Sequence, residues 1–301
     1  MKLVPGPERI VADAMTSPLD GVVRWAPAKS LWIGTMSLAA IVLCPLFVST
    51  DAVLLFVASS AATLCIGHSV GMHRRLIHAS FECPRWLEHG CVYLGTLVGM
   101  AGPIGMIRLH DVRDWAQRQP ACHAYFCHRA CFWRDAWWQL HCNLVLAHPP
   151  QFRLEPRLAG DRFYRFVERT WMVQQLPWAV LLFGSGGWGW VAWGICARIA
   201  VSVTGHWLVG HFAHRAGVQH WIIDGAAAQG YNVRLAALIS MGEGWHNNHH
   251  AFPGSARLGL MPGETDPGWW LIKLFAAFRL ASDIKTPADF PDRPERRPVS
   301  R

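Results

Sequence analysis

The chain has 301 residues, of which 52% are hydrophobic and only 16% are charged, with a formal net charge of +8. This composition is apolar for a soluble protein, and 17 tryptophans are typical of a membrane protein with aromatic anchors at the lipid–water interface. No nucleic-acid-binding motif accompanies the positive charge, so we assign it to cytoplasmic loops and expect no nucleic-acid partner. The nine cysteines include no C-x-x-C pair and indicate free thiols in a reducing compartment.

The first apolar segments predict a hairpin of two membrane-spanning helices. Residues 1–29 contain acids and prolines without an apolar core, so we expect a cytoplasmic segment and not a signal peptide. Residues 30–50 and 52–72 carry no Asp, Glu, Lys or Arg, and each stretch is long enough to cross a hydrocarbon core of about 30 Å. Basic residues flank the pair on both sides, so the positive-inside rule puts both flanks in the cytoplasm.

A second hairpin is predicted further along the chain. Residues 170–197 lack charged side chains, and the sequence Gly184-Ser185-Gly186-Gly187 divides the region into arms at about 171–185 and 188–209. Arg198 lies inside the second arm, where inserting an arginine costs roughly 2.5–3.5 kcal/mol. We therefore expect the Arg198 side chain to face protein or water.

The remaining regions predict a cytoplasmic cap. Residues 108–169 are rich in arginine and tryptophan, residues 210–290 are of mixed polarity, and residues 291–301 have the composition of a disordered tail. The predicted fold is an all-α membrane protein with about four transmembrane helices in two hairpins and a cytoplasmic helical cap. One further apolar stretch, 89–107, is uncharged but rich in glycine, and its hydrophobic pattern alone does not decide whether it spans.

Four stretches rich in histidine lie where apolar segments end. Neutral imidazole is a common metal ligand, and nitrogen and oxygen ligands without thiolates suit iron, zinc or copper. The number of candidate ligands exceeds the needs of one metal ion, so we expect two. The histidines of these stretches are His68, His73 and His78; His110; His206, His211 and His214; and His246, His249 and His250.

Helical geometry makes two predictions about these histidines. In an α-helix a five-residue spacing advances about 500°, so His73 and His78 should diverge and reach different metals. In the last stretch His246 and His249 should share one helical face, while His250 points about 100° away.

The arrangement H73-RRLI-H78, H206 and G242-EGW-H246-NN-H249-H250-AFP resembles the membrane fatty acid desaturase family of the acyl-CoA type. The resemblance covers about residues 30–290. It implies an oxygen-dependent enzyme that inserts a double bond into a fatty acyl chain, with two irons and a tunnel for that chain. No haem, flavin or iron–sulfur motif is present, so the resemblance also implies a separate electron donor, either a ferredoxin or a cytochrome with its reductase.

The resemblance bears on topology and location. Boxes one (73–78) and two (108–115) must meet at one site, so residues 89–107 should lie in the cap or at the interface and not form a lone span. The expected location is a bacterial inner membrane, with the active site on the cytoplasmic face.

The second box departs from the family pattern. With His110 on the first family histidine, Arg113 and Asp114 occupy the positions of an adjacent histidine pair. Asp114 is a candidate carboxylate ligand, whereas Arg113 stays protonated and is not. The expected ligands are His73, His78, His110, Asp114, His206, His246, His249 and His250. Expected substitutes or supporting residues are His68, His123, His128, Ser202, His211, His214 and Glu243.

Three alternatives remain open from the sequence. A lipid hydroxylase on the same scaffold begins with the same hydrogen abstraction. A catalytically degenerate lipid-binding homologue is compatible with the altered second box. Haem binding is disfavoured, because the histidines lie at the ends of spans and in loops and do not face one another within them.

Overall fold

The computed structural model describes residues 7–299, and the chain is mainly helical. The prediction of an all-α fold was wrong in one respect, because the described part also contains three antiparallel pairs of short strands. The helices are α1 (Pro27–Leu46), α2 (Thr50–Ile77), α3 (Arg85–Thr96), α4 (Pro103–Arg118), α5 (Phe132–His141), α6 (Pro156–Ala159), α7 (Arg162–Thr170), α8 (Gln175–Val191), α9 (Arg198–Ala213), α10 (Arg234–Ile239), α11 (His246–Ala251) and α12 (Pro267–Ala277). The strands are β1 (Ile10–Val11), β2 (Gly21–Trp25), β3 (Cys142–Leu146), β4 (Gln151–Phe152), β5 (Trp221–Ile223) and β6 (Arg296–Pro298).

Three helical stretches among the described residues are long and apolar enough to cross a membrane: α1, α2 and the continuous stretch Gln175–Ala213. The protein is therefore a membrane protein. Between α1 and α2 the Ser49 hydroxyl accepts a hydrogen bond from the Ala52 N–H at 3.4 Å and caps α2. This short turn matches the predicted first hairpin.

The stretch Gln175–Ala213 reverses direction at two glycines. Gly187 has a φ of 64°, a left-handed conformation that glycine adopts without a steric penalty, and Gly186 is also non-helical. The reversal brings Arg198 against Gln175, with Arg198 Nη2 2.7 Å from Gln175 Oε1. Arg198 is buried and also donates to backbone carbonyls, so its side chain faces protein, as predicted.

The last 15 residues of α2, Thr63–Ile77, form a π-helix against which α3 packs closely. A Cβ on Gly71 would lie 2.7 Å from Cys91, so glycine is required for this approach. The chain turns after α3 and returns through α4, and both helices are too short to span. Residues 89–107 therefore lie in a helix–turn–helix, which confirms that they are not a lone span.

The ends of the described chain are built into the cap. β1 pairs with β4 and β2 with β3, and the buried Arg9 donates to the Ile77 carbonyl at 2.9 Å and to Glu155 at 2.7 Å. The prediction of disorder over residues 291–301 was wrong for the described part of that tail. There β6 pairs with β5. The composition of the tail does not reveal this pairing, because the partner strand lies in a distant segment of the sequence. Residues 300 and 301 lie outside the described residues.

Candidate metal centre

Four imidazoles converge at the end of α2, and we call this set the four-histidine cluster: His73, His78, His110 and His249. One ligand atom from each ring lies within 4.8 Å of all the others. Nε2 of His73 and Nε2 of His78 are 3.2 Å apart, and the ring centroid of His249 is 4.6 Å from that of His73. The cluster joins residues from α2 and its C-cap, α4 and α11.

The predicted divergence of His73 and His78 was wrong. It assumed α-helical geometry, but this segment is a π-helix, in which hydrogen bonds join residues five apart. The His78 N–H donates to the His73 carbonyl at 3.1 Å, so both side chains share one face and enter one cluster.

Three further imidazoles form the three-histidine cluster: His214, His246 and His250. Nε2 of His246 is 3.0 Å from Nε2 of His214 and 3.1 Å from Nε2 of His250. The expected pairing of His246 with His249 was therefore wrong, since α11 sends His246 and His250 to this cluster and His249 to the other. The two clusters are neighbours, with the rings of His246 and His249 5.9 Å apart.

The electrostatics of both clusters suit metal ions. Burial holds the pKa values of His78, His214, His246 and His249 well below their usual range, and it lowers the pKa of His250 to about 4. These five rings are therefore neutral and offer lone pairs, whereas at His110 burial is outweighed by the carboxylates of Asp114 and Asp111, which raise its pKa. The lone pairs within a cluster face one another, and a metal cation bound between them would accept all of them as ligands.

Polar contacts from outside the clusters orient the ligand atoms. Glu243 Oε2 lies 2.5 Å from Nδ1 of His73, and Glu243 also accepts from the Ser69 hydroxyl at 2.6 Å. The carbonyl of Gln229 lies 3.1 Å from Nδ1 of His214. Each contact directs Nε2 of its histidine into a cluster, the usual arrangement behind metal-binding histidines.

Asp114 lies at the edge of the four-histidine cluster. Its Oδ1 is 3.9 Å from Nε2 of His110, and its Oδ2 accepts from Arg118 at 3.2 Å. Burial raises the pKa of Asp114, but the nearby His110 and Arg118 outweigh that effect and hold the pKa well below its usual value. Asp114 is therefore an ionised carboxylate within reach of the cluster.

Arg113 belongs to neither cluster. Its guanidinium donates to His128 Nε2 at 2.7 Å and to Gln139 Oε1 at 2.7 Å. His128 does fold back towards the site, and its ring stacks on His214 at 5.6 Å with an interplanar angle of 12°. It therefore supports the ring of His214 and contributes no ligand atom to either cluster.

A third group of polar side chains meets at Asp135, which is completely buried. Its Oδ2 accepts from Nδ1 of His128 at 2.9 Å, Nδ1 of His211 at 2.7 Å and the Trp207 indole N–H at 2.9 Å. All three donors meet one oxygen, and an indole N–H cannot bind a metal. Asp135 is therefore the centre of a hydrogen-bond network that joins α5 to α9.

Four predicted residues remain apart from the clusters. His206, an expected ligand, lies beside His68 with ring centroids 5.1 Å apart, outside both clusters. His214, which follows α9, instead joins His246 and His250 of α11 in the three-histidine cluster. Ser202 is buried with no partner for its hydroxyl among the described residues. His123 accepts from the Tyr125 N–H at 3.1 Å and reaches neither cluster.

Sequence reasoning missed the residues that hold box three (242–253) in place. Asn248 donates to the Leu258 carbonyl and to Glu264, both at 2.7 Å, and Asn247 accepts from the N–H of His220 at 2.8 Å. The two asparagines between His246 and His249 were the available signal. Gln117, one turn beyond Asp114, places its Nε2 3.0 Å from Nε2 of His214.

Box one is joined to box three by a buried ion pair. Arg74 donates to Asp266 at 2.7 Å and to the Ala256 carbonyl at 2.8 Å. Gly242, with a φ of 109°, passes so close that a Cβ would lie 2.7 Å from Arg74 Nη2. The glycine of the G-E-G-W motif is therefore required by packing as well as by its backbone conformation.

The fold and the site define a membrane protein with two adjacent histidine clusters at the end of its apolar helices. No protein-family model matches the chain. It is 33% identical over 277 residues to the sn-1 stearoyl-lipid 9-desaturase of Synechocystis sp. (strain ATCC 27184 / PCC 6803 / Kazusa), covering 90% of this chain and 85% of the relative. It is 30% identical to the sn-2 palmitoyl-lipid 9-desaturase of Nostoc sp. (strain 36), covering 82% and 86%.

A further relative is the acyl-CoA C20 Delta5-desaturase of Anemone leveillei, 30% identical over 74% of this chain and 70% of that protein. The chain belongs to the membrane fatty acid desaturase family. It is a fatty acid desaturase, and hence an oxidoreductase.

Proposed function

We propose that the two clusters hold two iron ions, one in each. The observation that supports this most directly is the convergence of seven imidazoles in two neighbouring sets, with the ligand atoms of each set within 4.8 Å of one another. When bound, iron supplies the oxygen-dependent oxidation of an unactivated methylene, which no side chain performs.

The proposed ligands follow the geometry. His73, His78, His110 and His249 hold the first ion, with Asp114 as an additional carboxylate. His214, His246 and His250 hold the second. Glu243 keeps Nε2 of His73 directed into the site. The completely enclosed Trp245 helps exclude water, because it donates to the Thr265 carbonyl at 2.6 Å and packs on Leu258.

The proposed substrate is a saturated acyl chain esterified in a membrane lipid, with the new bond at the ninth carbon. Two relatives that this chain matches over more than four fifths of their length bear the names of lipid 9-desaturases. The electrons come from a separate ferredoxin, or a cytochrome with its reductase, and O₂ is the oxidant.

We also propose four spans, with the clusters on the cytoplasmic side of a bacterial inner membrane. The reversal at Gly186 and Gly187 supports two antiparallel arms within the stretch Gln175–Ala213. Together with α1 and α2, these arms make four spans. Basic residues lie on the cluster side of α1 and α2, as the positive-inside rule requires.

The test is iron content per chain in detergent-purified protein, together with the mass of the lipid product. We expect about two irons, and a product lighter by two hydrogens. A product heavier by one oxygen would instead identify a lipid hydroxylase. One iron or none, from cells with ample iron, would contradict the two-iron proposal and favour a degenerate homologue.

The Asp114→Ala variant tests the carboxylate ligand, with the exposed Asp292→Ala as control. We expect a fall toward one iron in Asp114→Ala and no change in the control. If both variants bind two irons, Asp114 is not a ligand. The proposed ligand set then consists of the seven histidines.

A further inference from the structure

One face of α7 carries three exposed arginines and an exposed phenylalanine: Arg162, Arg165, Phe166 and Arg169. None of these arginines forms an ion pair with any residue in the range 7–299. The opposite face is buried through Tyr164 and Val167. A row of unpaired arginines beside an aromatic side chain is suited to an anionic surface that also offers apolar contact.

Contacts at the end of α7 fix its depth relative to the membrane. Trp171, the residue after α7, packs edge-on against Trp32 of α1 with ring centroids 5.7 Å apart. Gln175 then begins the next apolar stretch and donates to the Leu97 carbonyl at 3.1 Å. At 1.5 Å per residue, Arg165 lies only about 9 Å along the helix from Trp171. The arginines are therefore close to the end of the apolar stretch that begins at Gln175.

The other side of α7 contacts the helix that carries His110. Glu168 accepts hydrogen bonds from the N–H groups of Ile104 at 2.8 Å and Gly105 at 3.0 Å, in the first turn of α4. This carboxylate satisfies two of the amides that a helix N-terminus leaves free. The position of α7 is thus transmitted directly to α4.

We propose that the Arg162, Arg165, Phe166 and Arg169 face binds anionic phospholipid headgroups of the surrounding bilayer. Binding holds α7 against the cap and, through Glu168, stabilises the first turn of α4. Each arginine near an anionic membrane surface contributes roughly fivefold to binding, so three arginines give a preference on the order of 100-fold.

The experiment compares retention of phosphatidylglycerol and phosphatidylcholine by the full-length protein, using native mass spectrometry from mixed micelles. We expect a preference for phosphatidylglycerol of about tenfold or more. The triple variant Arg162→Gln, Arg165→Gln and Arg169→Gln should lose it. The matched variant Arg153→Gln, Arg257→Gln and Arg297→Gln removes the same charge from the cap and should keep it.

Hydrogen exchange measures the coupling to α4. Phosphatidylglycerol should slow exchange at the amides of Ile104 and Gly105, and inorganic phosphate at equal concentration should not. Glu168→Ala, which removes the acceptor, should keep the lipid preference but lose this protection. Equal retention of both lipids by the unmodified protein would overturn the proposal. It would favour an acidic soluble protein as the partner of the arginine face. Neither readout needs iron or turnover, so failure here is distinct from failure of the proposed function.

Discussion

The two histidine clusters differ in how they are assembled. The four-histidine cluster takes two rings from one π-helical segment and adds one from α4 and one from α11. The three-histidine cluster takes two rings from α11 and one from the end of α9, and its side facing α4 presents Gln117 and, behind it, Arg113 with His128. Under the proposed ligand assignment, we therefore expect the missing histidines of box two to weaken the second cluster, while His110 and Asp114 supply the first.

The comparison predicts that activity depends more strongly on the ligands of the four-histidine cluster than on those of the three-histidine cluster. His249→Ala should abolish desaturation, with a loss of more than 100-fold, because it removes a ligand from the complete cluster. Iron content and product formation measure this. His148→Ala, an exposed histidine outside the clusters, is the control. Activity within tenfold of the unmodified enzyme would contradict the assignment.

At the three-histidine cluster, the ligand that the structure indicates differs from the ligand that the sequence motif predicts. His214→Ala should lower the iron content from about two to one, whereas His206→Ala should retain two, since His206 lies against His68. Iron analysis of the two purified variants provides the measurement. The reverse result would restore His206 as the ligand and show that the clusters rearrange on metal binding.

Residues that orient the ligands should affect one cluster each. Glu243→Gln should weaken binding of Zn²⁺ at the four-histidine cluster by about 10- to 100-fold, because His73 loses its charged partner. Asp135→Asn should weaken the three-histidine cluster by a similar factor, since His128, which supports His214, loses its charged acceptor. Calorimetric titration of metal-free protein resolves the two sites, and equal weakening of both sites by either variant would refute their independence.

The smallest effect is expected at Ser202. Its hydroxyl is buried without a partner among the described residues, so Ser202→Ala removes an unsatisfied polar group and should raise the free energy of unfolding by about 1 kcal/mol. Thermal unfolding in detergent measures this change. A loss of iron in this variant would reveal a role for the hydroxyl that the present contacts do not contain.

Much of the architecture was accessible from the sequence because apolar length, glycine breaks and histidine motifs are local signals. The turns at Ser49 and at Gly186 and Gly187 were predicted from such signals. The π-helix was not, because no local pattern distinguishes its five-residue hydrogen bonds from those of an α-helix. That single difference reversed the prediction for His73 and His78.

Long-range partners explain the other differences. His214 was preferred to His206 only once α9 and α11 were seen to meet, and Asp135 carries no motif at all. The strands at the chain ends depend on pairing between distant segments, as in β5 with β6. Composition describes such segments as polar and irregular, and only tertiary contact gives them a partner.

The ion pair between Arg74 and Asp266 also has a consequence for biosynthesis. These residues are 192 positions apart in the sequence, yet the pair joins box one to the segment after box three. At roughly 5–20 residues per second, a ribosome needs about 10–40 s to make the chain between them. During that time α1 and α2 are in the membrane while the clusters lack box three, so metal loading is an event that follows translation of nearly the whole polypeptide.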